Sequence, residues 1–262
     1  MKKLFTAFAL TAFLTPFAHA EDIISILERQ SKVEQPAPPK IVPYNYTVDI
    51  SFSEGKGDEV EAFTAKLLVN PILSGEERVR ILSTSDEDYG DEFEEVLKEM
   101  RDPETTPEEM SEEFWCESGD NELFDGGDIS VDDFTVISET DTEAVVKPNQ
   151  ALMAKIMMDG DDEEEMSKSD RKMMKKMMER LDGEFVLSKP DARLKNLKIW
   201  LTRPLTMKIV AKIKEMEITQ SCAMAPNGFT YTDNVTMRVK AKALGVGMEQ
   251  NMDIKITGLT LK

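Results

Sequence analysis

The chain is 262 residues long and 32% charged, with 51 acidic against 32 basic side chains and a net charge of −19. Affinity for nucleic-acid phosphates needs net basic surface, so this balance excludes a nucleic-acid-binding role. The one histidine is His19, inside a segment that reads as a cleaved leader, which leaves no Ser-His-Asp triad, no Cys-His dyad and no imidazole for zinc, copper(II) or haem.

The leader comes first. Lys2 and Lys3 precede the apolar run LFTAFALTAFL, and Ala18-His19-Ala20 is an A-x-A cleavage site. Residues 1–20 therefore read as a signal peptide cut after Ala20. No cysteine follows the cut, so it is not a lipoprotein leader. No later stretch approaches the ~20 apolar residues of a transmembrane helix. The expected location is the periplasm of a Gram-negative bacterium, or outside the cell.

Residues 21–43 read as an N-terminal helix and a connector. DIISILERQSKV is apolar at Ile23, Ile24, Ile26, Leu27 and Val33, a helical spacing. QPAPPKIVP is too rich in proline to continue it. Residues 44–262 read as one α+β domain. YNYTVDISF and EAFTAKLLV alternate as strands joined by a turn holding Glu54, Gly55 and Gly57, and RVRILS is a third strand. An acidic helical insertion follows over about residues 86–126. Phe93, Val96, Leu97 and Met100 have helical spacing there, and a short second helix begins at Pro107 behind the cap residue Thr106. FTVIS and EAVVK form a hairpin around residues 139–142. ALMAKIMM (151–158) is ambiguous, and DGDDEEE (159–165) is a loop. That loop fails as a calcium site, because an EF-hand needs glycine at its sixth position and glutamate at its twelfth, where Glu164 and Asp170 stand.

A methionine-rich helix is expected from Met166 to Leu181, capped by Gly183. Met173, Met174, Met177, Met178 and Leu181 fall on one apolar stripe about 140° wide, with lysines on the rest of the circumference. The stripe has four readings. It packs on the following sheet as core; it lines an adaptable groove for an apolar ligand, thioethers being unbranched and polarisable; it binds copper(I) through sulphur; or it lies on a membrane. Flanking lysines oppose the third reading and the net charge opposes the fourth. No metal and no cofactor is expected.

The last eighty residues alternate almost throughout, for example in MKIVAKIKEMEI and VTMRVKAKAL. One face is apolar and the other rich in lysine, the pattern of an antiparallel sheet with one solvated face. Charge divides along the chain: residues 21–165 carry 41 acidic and 11 basic side chains, residues 166–262 carry 10 and 19. The two cysteines, Cys116 and Cys222, lie one in each part. In an oxidising compartment they are expected to form a disulfide linking the two.

The stretch LDGEFVLSKPDARLKNLKIWLTRPLTMKIVAKIKEMEITQSC, followed by FTYTDNVTMRVKAKALGVGMEQNMDIKITGL, resembles the late strands of the LolA-like periplasmic lipoprotein carriers, and also other exported bacterial proteins with this ending. The resemblance covers residues 130–262. It implies a curved antiparallel sheet like an incomplete β-barrel, covered by helices, with a lipid chain held between. The acidic insertion is not part of that pattern. The expectation is a non-catalytic, monomeric exported protein binding a lipid-like or other apolar ligand between helix and sheet. The alternative is an envelope protein that docks a basic partner through its acidic face. A carboxylate-based hydrolase ranks last, since the many acids nominate no pair.

Overall fold

Alternating apolar and polar residues build one 11-stranded sheet, in which every pairing is antiparallel. The computed structural model describes residues 22–30, 38–57, 59–85, 90–112, 114–116, 130–153, 168–207 and 211–261. The leader and its cleavage site, residues 31–37 with the expected helix end at Val33 and the start of the connector, residues 86–89 and 117–129 of the acidic insertion, and residues 154–167, which hold the rest of the ambiguous stretch, the acidic loop and Met166, lie outside the described residues. The strands are β1 (Tyr44–Lys56), β2 (Glu59–Val69), β3 (Val79–Thr84), β4 (Phe134–Glu139), β5 (Glu143–Pro148), β6 (Leu181–Ser188), β7 (Leu194–Leu201), β8 (Leu205–Met207), β9 (Ala211–Met224), β10 (Thr230–Ala243) and β11 (Val246–Leu261). Their spatial order is β3-β2-β1-β11-β10-β9-β7-β6-β5-β4, with β8 paired to β9. The sheet is open and curved, and β3 and β4 are its edges. The C-terminal strand thus sits in the middle, beside the first strand.

Helices cover only parts of this sheet, less than a barrel lid would. Three packed clusters mark where they do. Helices α2 (Gly90–Met100) and α3 (Pro107–Glu112) cover the β1–β3 end, where Phe93, Leu97, Phe114 and Trp115 pack on Tyr44, Tyr46, Leu67 and Val69. Helix α1 (Ile23–Gln30) covers the β4–β7 end, burying Ile23, Ile26 and Leu27 on Phe134, Val146, Phe185 and Leu187. The amide of Ser25 donates to the Asp22 carboxylate at 2.9 Å, capping α1 and holding that carboxyl below its ordinary pKa. The Glu139 carboxylate accepts from the Ile23 amide and from the buried Lys189 ammonium, fixing α1 to the β4 edge. The third cluster belongs to the methionine-rich helix.

The acidic insertion is tied down by specific bonds. Thr106 and Glu109 form a reciprocal capping box that starts α3 (Glu109 amide to Thr106 Oγ1, 3.2 Å; Thr106 amide to Glu109 Oε2, 2.7 Å). Ser111 Oγ accepts from the Val42 amide at 2.8 Å, and Trp115 Nε1 donates to the Pro39 carbonyl at 3.1 Å. Residues 114–116 run beside β10, Trp115 bridging to Tyr231. The Cys116–Cys222 disulfide is formed, with a Cα–Cα distance of 6.1 Å, and links the insertion to β9.

Four local readings are corrected. Glu54 and Gly55 remain in the β1–β2 ladder opposite Glu61 and Val60, so the turn is confined to the chain around Gly57 (φ 67°). Val96 is 44% exposed, because the α2 stripe that packs is Phe93, Leu97 and Met100. The stretch read as one strand from Met207 to Cys222 is two: Met207 pairs back on Ala211, so β8 and β9 are antiparallel neighbours. The methionine-rich helix, here α4, spans Lys168–Met178, and Leu181 already begins β6. Gly183 is therefore a strand residue opposite Ile199, not a helix cap.

Candidate functional site

Helix α4 turns its methionines onto the sheet. Met178 and Leu181 are buried with Met153 and Ile199, and Met174, Met177, Leu197, Leu201 and Met216 pack around them. Met173 is half-buried and stands outside this cluster. Four of the five residues on the stripe thus converge, Leu181 from a strand. Met153, from the ambiguous stretch before the helix, occupies the centre. Its placement is explained by Gly183: a Cβ built there would lie 3.0 Å from Met153 Sδ and 3.2 Å from the Lys198 carbonyl oxygen. Gly183→Ala is expected to destabilise the protein by about 1–2 kcal/mol by displacing Met153, read as a lower urea midpoint with an unchanged slope.

The sheet's cross-strand register extends this cluster. Residues directly opposite on neighbouring strands share a face. Gly183 is opposite Ile199, Ile199 opposite Ile218, Ile218 opposite Met237, Met237 opposite Met252, Met252 opposite Phe52, and Phe52 opposite Phe63. One row thus crosses the sheet from under Met153 to Phe63, whose ring packs on Phe93 of α2 at 4.8 Å. Its two ends lie beneath helical cover. The four residues between, Phe52, Met252, Met237 and Ile218, are half-buried and belong to none of the three packed clusters. The open part of the row, from Phe52 on β1 to Ile218 on β9, spans three inter-strand steps, about 14 Å at ~4.8 Å each, comparable to an extended medium-length acyl segment. Val235 and Ile254 flank it on one neighbouring row, with the polar Gln220 opposite Val235; on the other side Val239 is followed by the polar Gln250 and Glu54.

The opposite face has different chemistry. A concavity of about 810 Å³ there is lined by Trp200, Glu184, Arg238, Asn251 and the ion pairs Lys198–Glu217 (2.9 Å) and Lys240–Glu215 (3.1 Å). Charges paired across strands suit a solvated face and disfavour an apolar ligand. Among the described residues there is no group of three or more His, Cys, Asp or Glu side chains arranged to hold a metal ion. No helix among them is long and apolar enough to cross a membrane.

Individual members of the row were visible in the strand alternation, Met237 between Val235 and Val239 for example. Their alignment into one row was not, because it depends on β1 lying beside β11, a pairing between opposite ends of the chain.

No protein-family model matches the chain, and no curated protein matches it. In structure it is similar to a LolA superfamily protein from Nitrosomonas europaea, at 9% identity and a TM-score of 0.28 over 91% of this chain and 92% of that one.

Proposed function

We propose that this is an exported, non-catalytic protein that holds a lipid-like or other apolar ligand against the central strands. The observation that carries the reading is the row Phe52–Met252–Met237–Ile218, apolar, half-buried, outside the packed clusters and continuous with roofed core at both ends. An apolar chain laid along it would remove this surface from water at about 25 cal/mol per Å². Methionines at its middle can adjust to chains of different shape. The site therefore moves from the α4 stripe, where Met178 is packed as core, to the strands beside it. Export to the periplasm is supported by the leader-like N-terminus and by the disulfide, which persists in oxidising compartments.

The test is titration with a fluorescent long-chain fatty acid, followed by competition with unlabelled lipid. The purified chain is expected to bind saturably. Met237→Glu places a carboxylate in the row and is expected to weaken binding by at least about tenfold, since a charge next to an apolar ligand loses hydration without compensation. Its thermal midpoint should fall only modestly, because residue 237 belongs to none of the packed clusters. Saturable binding that Met237→Glu leaves unchanged would sink this location of the site, and no binding by the parent chain would sink the function.

A further inference from the structure

Strands β10 and β11 are joined by a two-residue turn, Leu244-Gly245, between the paired residues Ala243 and Val246. Both turn residues have positive φ, 50° for Leu244 and 90° for Gly245. Such turns favour Asn, Asp or Gly at the first position, because a Cβ is crowded there and leucine has no side-chain hydrogen bond to offset it. Leu244 is nevertheless at the tip, and 80% of it is exposed. Val246 beside it is 41% exposed, and Val60, on the neighbouring β1–β2 hairpin, is 73% exposed. The two hairpins are joined where the Gly57 amide donates to the Gly247 carbonyl at 3.2 Å.

Just behind the tip, Lys242 of β10 lies directly opposite Lys212 of β9. Like charges so placed repel each other. Lys214 is next to this pair on β9, and all three lysines are exposed. On this hairpin the acids face Lys240: Glu215 pairs with it, and Glu249 stands opposite it on β11; the exposed Glu59 and Glu61 lie on the adjoining β1–β2 hairpin. The hairpin end thus combines a strained exposed leucine with an opposed lysine pair, two features that each cost stability and neither of which the core needs.

We infer that the Leu244 hairpin tip is a membrane-contact element, with Leu244 entering the acyl boundary of an anionic bilayer while Lys212, Lys214 and Lys242 meet its headgroups. Apolar tip and basic collar are the complementary pair such a surface requires. The contact does not depend on the apolar row described above, which lies farther along the strands, and each can fail alone.

The experiment is co-sedimentation of the purified chain with large unilamellar vesicles of phosphatidylcholine, with and without phosphatidylglycerol. Binding is expected only to the phosphatidylglycerol vesicles and should weaken with salt. Leu244→Asn fits the turn better, so it should raise the thermal midpoint and yet lower vesicle partitioning roughly tenfold. Lys212→Gln with Lys242→Gln should lower partitioning by about tenfold or more. The inference is overturned if the parent chain ignores phosphatidylglycerol vesicles, or if Leu244→Asn binds them as well as the parent does.

Discussion

Arg78→Met is expected to lower the unfolding free energy by about 3–5 kcal/mol, the range for removing one partner of a buried charged network. Arg78 lies at the start of β3 and is 1% exposed. Its guanidinium donates to the carbonyls of Leu73 (2.7 Å), Met100 (3.4 Å), Asp102 (3.1 Å) and Thr105. Those oxygens come from the β2–β3 loop, the end of α2 and the α2–α3 connection. Helix α2 leaves its last carbonyls unpaired, and their partial negative charge favours a cation there. Arg101 returns the contact, donating through Nε and Nη2 to the Val79 carbonyl. The two arginines thus fasten the acidic insertion to the sheet edge. Methionine keeps roughly the volume and removes every donor. Arg78→Lys should recover only a minor part, because an ammonium cannot fork to acceptors on three segments. Urea denaturation of the three proteins tests this; a loss below about 1 kcal/mol for Arg78→Met would mean the carbonyls find water instead.

Removal of the disulfide, by Cys116→Ala with Cys222→Ala, is expected to cost at least as much, about 4–5 kcal/mol for a loop of this length with an unstrained native geometry. The sequence separation is 106 residues. The loss should also be spatially selective. Residues 114–116 are held to β10 by the Thr232 amide donating to the Phe114 carbonyl (2.9 Å) and the Cys116 amide donating to the Thr230 carbonyl (3.1 Å). Phe114 stacks on Tyr231 at 5.2 Å, and burial, with Asp233 nearby, raises the Tyr231 pKa above its ordinary value. In the double variant the Thr232 and Cys116-position amides should exchange faster than those of β9 and β11. Uniform acceleration across the sheet would show instead that the bridge acts on global stability alone.

Much of the architecture was legible locally. Alternation in VTMRVKAKAL and MEITQSC placed the late strands, and Thr106-Pro107 placed the start of α3. The cysteine pair was legible from compartment chemistry. These features are written in a few neighbouring residues, or in composition, and need no partner to be recognised. Where local reading went astray, a tertiary contact decided. Leu181 and Gly183 read as helix end and cap, but strand pairing opposite Leu201 and Ile199 took them into β6. Val96 fits the α2 periodicity, yet the sheet surface beneath that helix accommodates only one side of the stripe.

The candidate site was less legible than the fold. The methionines of α4 announced themselves by number, and most of them turned out to pack. The more open surface consists of single residues from β1, β9, β10 and β11, unremarkable in their own strands. By itself the sequence determined the leader-like start, the sheet-rich class, the charge division and the lack of histidine chemistry after residue 19. Only the tertiary structure decided that Phe52 stands beside Met252, that Met153 fills the notch at Gly183, and that two opposed lysines stand behind a leucine-tipped hairpin. Cross-strand register is a relation between distant segments, set by which faces bury together, and no single segment carries it.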